Sequence, residues 1–177
     1  HPGQPESTPA MTTPTTTAVN AVATLSLDGP IAVLSLNHPP VNALSAVLRE
    51  GLLAGLQQAK AAPGVKALVL ICEGRTFLAG ADISEFGKPP QGPSLYLIQD
   101  EIESAPWPVI AAIHGTSLGG GFEVALCCHY RVAVPSAKCG LPEVHLGLLP
   151  GAGGTQRLPR IVGAAKALEM VTSGTHV

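Results

Sequence analysis

Pro108-Val-Ile-Ala-Ala-Ile-His-Gly-Thr-Ser-Leu-Gly-Gly-Gly-Phe-Glu-Val-Ala-Leu-Cys-Cys128 decides the fold. Val109–Ile113 is a short apolar run, the pattern of a buried strand. Gly119-Gly120-Gly121 turns the chain, and Leu118–Cys128 reads as a helix that starts there. Strand, glycine turn and helix in succession are the unit of a parallel α/β sheet. The helix start also has a chemical reading. Its first N–H groups lack partners inside the helix and carry partial positive charge. Glycines let a ligand oxygen come close to them. Glu123 follows within the first turns, in apolar sequence where an ionisable group points to use.

The flanking sequence extends this reading in both directions. Downstream, Glu143 sits in Gly140-Leu-Pro-Glu-Val144, and Leu149-Pro-Gly-Ala-Gly-Gly154 follows it. Upstream, Leu78-Ala79-Gly80-Ala81-Asp82 is a second run of small residues that exposes backbone, with Asp82 able to cap a short helix after it. Two N–H donors from separate loops would hold a carbonyl oxygen as it becomes an enolate, at roughly 2.7–4 kcal/mol per donor. A Cβ on Gly120 is expected to intrude on that oxygen. Asp and Glu total only 12 in 177 residues, so two carboxylates in glycine-rich settings suggest acid–base chemistry. A rival motif overlaps. Gly115-Thr-Ser-Leu-Gly119 fits the G-x-S-x-G elbow of serine hydrolases, with Ser117 as nucleophile and Glu143 and His145 or His176 following in triad order. His114, His129 and His145 otherwise read as packed or hydrogen-bonded residues. Pro150–Thr155 reads as a tight turn into a helix, not a dinucleotide site.

Composition sets the outer bounds. The length suits one domain with a real core. Apolar residues make up 46%, charged residues 12% and aromatics 3%, so Ala, Val, Leu and Gly must pack the interior closely. A net charge of −2 offers no basic face for nucleic acid. No apolar run reaches about 18 residues, so no membrane span is expected. Cys72, Cys127, Cys128 and Cys139 match no zinc spacing, and no metal is expected. They read as small apolar residues in a reducing, cytoplasmic setting.

The elements follow from caps and breakers. Residues 1–20 are rich in Pro, Thr and Ser and read as a disordered lead, with Met11 the native start and His1–Ala10 an added remnant. Ala21–Leu27 and Ile31–Leu36 form a hairpin around Asp28-Gly-Pro30, with Pro30 lengthening the turn beyond two residues. Ser45 caps a helix to Ala61 with Leu48, Leu52, Leu53 and Leu56 on one face, and Pro63-Gly64 ends it. Lys66–Cys72 and Tyr130–Val134 are strands. Ser94–Ser104, Thr155–Val162 and Ala164–Thr172 are helices. Phe77–Ile83 and Gly87–Pro93 are loops. The result is an α/β fold with mostly parallel pairing. The apolar side of Ala164–Thr172 needs a cover, so residues 21–177 are expected to be a core truncated at the C-terminus.

Three blocks carry a family resemblance. Phe77–Ile83, Ala112–Glu123 and Gly140–Arg157 resemble the signature blocks of the crotonase, or enoyl-CoA hydratase/isomerase, superfamily, and the likeness runs from about Ala21 onward. Phe86–Pro90, Cys128-His-Tyr-Arg131 and Leu168–Gly174 resemble the N-terminal part of bifunctional hydratase/3-hydroxyacyl-CoA dehydrogenases of fatty-acid β-oxidation. The resemblance implies a spiral of ββα units lacking the family's C-terminal helical region. It implies Ala79 and Gly120 as oxyanion-hole donors, and Glu123 and Glu143 as the catalytic pair acting on water and on the α-carbon. Ala43, Leu44, Ala81, Asp82 and Ile83 would line the acyl-CoA site. The substrate would be an acyl-CoA thioester, with no cofactor. A dehydrogenase half in a longer chain and homo-oligomers are further implications. Three alternatives stand beside hydration: 3-enoyl-CoA isomerisation, hydrolysis through Ser117, and a non-catalytic CoA-binding fragment.

Overall fold

The structure, a computed structural model, describes residues 13–177. Strands β1 (Thr15–Asn20), β2 (Ala23–Asp28), β3 (Ile31–Leu36), β4 (Ala67–Cys72), β5 (Val109–Ile113) and β7 (Tyr130–Ala133) form one sheet in the order β1-β2-β3-β4-β5-β7. The first three pair antiparallel and the rest pair parallel. A second, two-stranded parallel sheet joins β6 (Thr116–Leu118) to β8 (Lys138–Gly140). The helices are α1 (Ala46–Ala61), α2 (Leu95–Glu103), α3 (Gly120–Cys127), α4 (Gly154–Val162) and α5 (Ala164–Ser173).

The parallel part is a spiral of ββα units, as expected. β5, β6 and α3 make one unit; β7, β8 and α4 make the next. In each, one strand joins the large sheet and a short one joins the small sheet. Earlier turns keep a remnant of the short strand, since Leu44 and Ala81 form a single parallel bridge ahead of α1 and α2.

Alternation builds the core. β3 and β4 each bury every second residue, and their register sets Leu34 beside Leu70 and Leu70 beside Ala111 of β5. Helix α1 covers this face with Leu48, Leu52, Leu56 and Ala59. The Ser45 side chain caps it by accepting from Leu48 N–H, and the helix stops at Ala61, just before Pro63.

Two expectations are corrected. Thr15–Asn20, placed in the disordered lead, is the edge strand β1, held by backbone pairing to β2 although four of its six side chains are exposed. The remainder of that lead, residues 1–12 with Met11, lies outside the described residues. The β2–β3 turn is also shorter than expected. Asp28 pairs with Ile31, so Gly29 and Pro30 alone make the turn. Gly29 takes φ +54°, and the ring-fixed φ of Pro30 suits the second position of a type II′ turn.

Candidate active site

Loop Phe77–Ala79 is laced to the strand that precedes α3. Phe77 N–H donates to the carbonyls of His114 and Thr116, and Leu118 N–H donates to the Leu78 carbonyl at 3.0 Å. A trans peptide directs its C=O and N–H oppositely. Tying the Leu78 carbonyl to β6 therefore aims the Ala79 N–H away from it. On α3, Glu123 N–H closes the first helical bond on the Gly119 carbonyl at 2.9 Å, which aims the Gly120 N–H out of the helix start. Among the described residues, no protein atom accepts from Ala79 N–H or from Gly120 N–H.

Close packing brings these two donors together. A Cβ on Gly121 would lie 2.3 Å from the Leu78 carbonyl oxygen, so α3 rests against the backbone of the loop that carries Ala79. No other residue type permits that approach. Ala79 and Gly120 line one cavity of about 160 Å³, together with Ile83, Phe86, Glu143 and Leu148 among others.

Glu143 stands in the short 3-10 turn Pro142–Leu146. It is half-buried, and its Oε2 is sealed without a hydrogen-bond partner. Its pKa is raised, first by burial and further by the charge of Glu123, with a backbone hydrogen bond opposing. Glu123, in the first turn of α3, is 2% exposed. Its Oε1 accepts two backbone N–H groups, from Ala152 and Gly154, each at 2.8 Å. The two carboxyls therefore differ in setting: Glu123 Oε1 is held by two donors, whereas Glu143 Oε2 has none.

Two larger cavities adjoin. One, of about 400 Å³, is lined by Arg49, Ala81, Asp82, Phe86 and Lys88 among others; a second, of about 230 Å³, by Leu44, Ala81, Leu95 and Gly120 among others. The carboxylates of the first are already engaged. Asp82 caps the Ile83–Glu85 turn by accepting from Ser84 N–H; hydrogen bonding from the Ser84 side chain, and then from its backbone, lowers the Asp82 pKa, and Glu85 pairs with Arg49 at 3.0 Å. Glu143 thus lines the smallest of the three, and Ala81 is common to all of them.

The residues expected to contact the acyl-CoA are distributed over these cavities. Ala81 lines all three, Asp82 the largest, Ile83 the smallest and Leu44 the third. Ala43 lines none of them. The Gly120 expectation needs correction. A Cβ there would point at Leu44 Cδ1 and Leu95 Cδ2, 3.3 Å from each, and not at the space between the donors.

The hydrolase triad is not assembled. Ser117 lies on β6 with its hydroxyl fully buried and unpartnered. His145 Nε2 is engaged with the Ser173 carbonyl at 2.9 Å, and His176 packs on Gly140. The histidines behave as expected, with His129 Nδ1 accepting from Val109 N–H and His114 Nε2 bonded to the Gly74 carbonyl. Among the described residues no cluster of His, Cys, Asp and Glu could hold a metal. Among the described residues no helix is long and apolar enough to cross a membrane. The clamp on Glu123 was missed in the sequence. Its donors lie 29 and 31 residues away, in a run whose glycines signalled only a turn.

Comparisons with known proteins show the family of the chain. A family model described as enoyl-CoA hydratase/isomerase matches residues 27–177. The chain is 52% identical over 147 residues to a peroxisomal bifunctional enzyme of Danio rerio, covering 83% of this chain and 20% of that protein. It is 49% identical over 166 residues to a probable enoyl-CoA hydratase of Bacillus subtilis, covering 90% of this chain and 64% of that one. It therefore spans about a fifth of the first relative's length and just under two thirds of the second's. A solved enoyl-CoA hydratase from Bacillus anthracis superposes with a TM-score of 0.76 at 34% identity, over 93% of this chain and 64% of that one.

Proposed function

The chain belongs to the enoyl-CoA hydratase/isomerase family, and from that premise we propose that it adds water to 2-enoyl-CoA thioesters, giving 3-hydroxyacyl-CoA. One observation carries this reading: Ala79 and Gly120, each with an uncommitted backbone N–H, line a single cavity together with the half-buried Glu143.

In this reading the thioester oxygen sits between the Ala79 and Gly120 N–H groups. Negative charge grows there as the C2=C3 bond is attacked, and fixed donors stabilise it without reorganising. Glu123 takes a proton from a water molecule whose oxygen bonds to C3. Glu143, whose pKa burial raises, is the acid of this reading and delivers its proton to C2. One carboxyl gains a proton and the other loses one, so the pair must start in opposite states. The acyl-CoA needs no cofactor for this step. We place the remainder of the acyl-CoA along the two adjoining cavities, past Leu44, Ala81, Asp82 and Ile83.

A second reading rests on its own observation. Glu143 lines the cavity and Glu123 does not. A single carboxyl next to a held enolate can carry a proton between C2 and C4, which is 3-enoyl-CoA isomerisation. Glu123→Gln separates the two readings: hydration requires Glu123, whereas isomerisation survives its loss.

The bifunctional relatives support a further proposal, that this chain works joined to a dehydrogenase part. Exposed Tyr130 and Val132 on edge strand β7 suit assembly into homo-oligomers. Four free thiols suit a cytoplasmic setting. The direct test of function is turnover of crotonyl-CoA: loss of the conjugated thioester absorbance with appearance of the 3-hydroxy product. Release of free CoA instead would favour hydrolysis, and binding without turnover would leave a CoA-binding fragment.

A further inference from the structure

Helix α2 turns three side chains, spaced i, i+3 and i+7, toward the loop that precedes α4. Tyr96 Oη donates to the Gly151 carbonyl. Gln99, only 1% exposed, donates from Nε2 to the Ala152 carbonyl at 2.7 Å and to the Glu123 carbonyl at 3.4 Å. Glu103 accepts from Arg157 Nε at 2.7 Å, and Arg157 Nη1 reaches the same Ala152 carbonyl at 3.2 Å.

That carbonyl occupies a particular place. The Glu123 carboxylate is held by the N–H groups of Ala152 and Gly154. The peptide unit between those two donors is the one whose carbonyl is Ala152 C=O. Gripping it from two sides fixes the plane between them, and so the direction in which both N–H groups point. Gln99 hydrogen-bonds both ends of the arrangement: the loop that holds the carboxylate, and the backbone of the residue that bears it.

We propose that Gln99 is a positioning residue for Glu123, acting through the Ala152 carbonyl, with Tyr96 and the Arg157–Glu103 pair completing the grip. The proposal rests on the hydratase reading, in which Glu123 activates water. Without the Gln99 amide, the Ala152–Gly153 peptide can rotate, the two donors lose alignment and the carboxylate drifts from the water it must deprotonate. Misplacement by about 1 Å costs on the order of 10²-fold in rate. Among the described residues no hydrogen bond joins the Glu143 side chain to this network, so proton exchange at the α-carbon is spared.

The test uses Gln99→Met, which keeps the buried volume, and Tyr96→Phe, which removes one hydroxyl from a largely exposed side chain. Three quantities are measured in the full chain: steady-state hydration of crotonyl-CoA, exchange of the α-protons of butyryl-CoA with solvent deuterium, and the amide resonances of Ala152 and Gly154. The expected result for Gln99→Met is a fall of roughly 10–10²-fold in kcat for hydration with KM little changed. Exchange stays near the native rate, and both amide signals move toward their positions in Glu123→Gln. Tyr96→Phe gives smaller changes in the same direction. Equal loss of hydration and exchange in both variants would assign α2 a purely structural role and overturn the proposal. Unmoved Ala152 and Gly154 amides in Gln99→Met would overturn it as well. If the native chain shows no hydration, the hydratase reading fails by itself, and the amide signals still decide whether Gln99 sets the clamp.

Discussion

Gly121→Ala puts the donor geometry under the most direct strain. The added Cβ would sit 2.3 Å from Leu78 O and 2.5 Å from Leu78 Cβ, where ordinary contact begins at 3.4 Å. The oxygen is backbone and is itself bonded to Leu118 N–H, so no rotamer change relieves the clash. Helix α3 and the Leu78–Ala79 loop must separate by about 1 Å, a figure that follows from the two distances. Overpacking of this kind costs about 1–3 kcal/mol. For a chain of this size, that corresponds to a lowering of the melting temperature by about 2–12 °C. The same displacement moves the Gly120 N–H away from the Ala79 N–H. Misalignment of one donor costs up to about 2.7–4 kcal/mol of transition-state stabilisation, or roughly 10²–10³-fold in kcat. Thermal melts followed by circular dichroism give the first quantity, and crotonyl-CoA hydration gives the second. A variant that melts with the native chain and turns over at the native rate would show that the approach of α3 to Leu78 does not set the donor geometry.

The remaining predictions concern single groups. Glu143→Gln should lower both hydration and α-proton exchange by about 10²–10⁴-fold, the usual cost of losing a positioned acid or base, whereas Glu123→Gln should lower hydration alone. The raised pKa of Glu143 also has a signature in stability: its contribution is fully present below the ordinary value of 4.5 and is lost as pH rises through the higher folded value. Glu143→Gln should therefore match the native chain in melting temperature at pH 4 and exceed it at neutral pH; an equal difference at both would remove the assigned cause. Gly120→Val should displace the Leu44 and Leu95 side chains and raise KM more than it lowers kcat; a loss confined to kcat would put its Cβ in the donor space after all. Ser117→Ala removes a buried hydroxyl that has no partner, so hydration and melting should stay near native, and a large loss of activity would revive the nucleophile reading.

Much of this architecture was legible because local signals agreed. Ser45 and the leucines of α1 set a cap and a face in one stretch of sequence, and the helix follows both. Apolar runs marked β3, β4 and β5 because each is short, bounded and buried on alternate residues. What escaped notice depends on distant partners. Strand β1 has no apolar alternation and exists by pairing with β2, so Thr15–Asn20 looked like tail. β6 and β8 are three residues each and stabilise one another across more than twenty residues of chain. Glu123 and Glu143 were visible as carboxylates in glycine-rich sequence. The feature that distinguishes them was not. It lies in the N–H groups of Ala152 and Gly154, and behind these in Gln99, whose place on α2 gave no sign of a buried polar role. The Gly120 reading failed because the direction of a Cβ depends on helix phase, which a glycine run does not reveal.

The most direct test of the central claim is crotonyl-CoA turnover in deuterium oxide, with the product analysed for deuterium at C2. The account predicts loss of the conjugated absorbance and 3-hydroxybutyryl-CoA carrying one deuteron at C2, delivered through Glu143, with the rate lowered about 10²–10⁴-fold in Glu143→Gln. Unchanged absorbance in the native chain, or hydration at a near-native rate in Glu143→Gln, would contradict it.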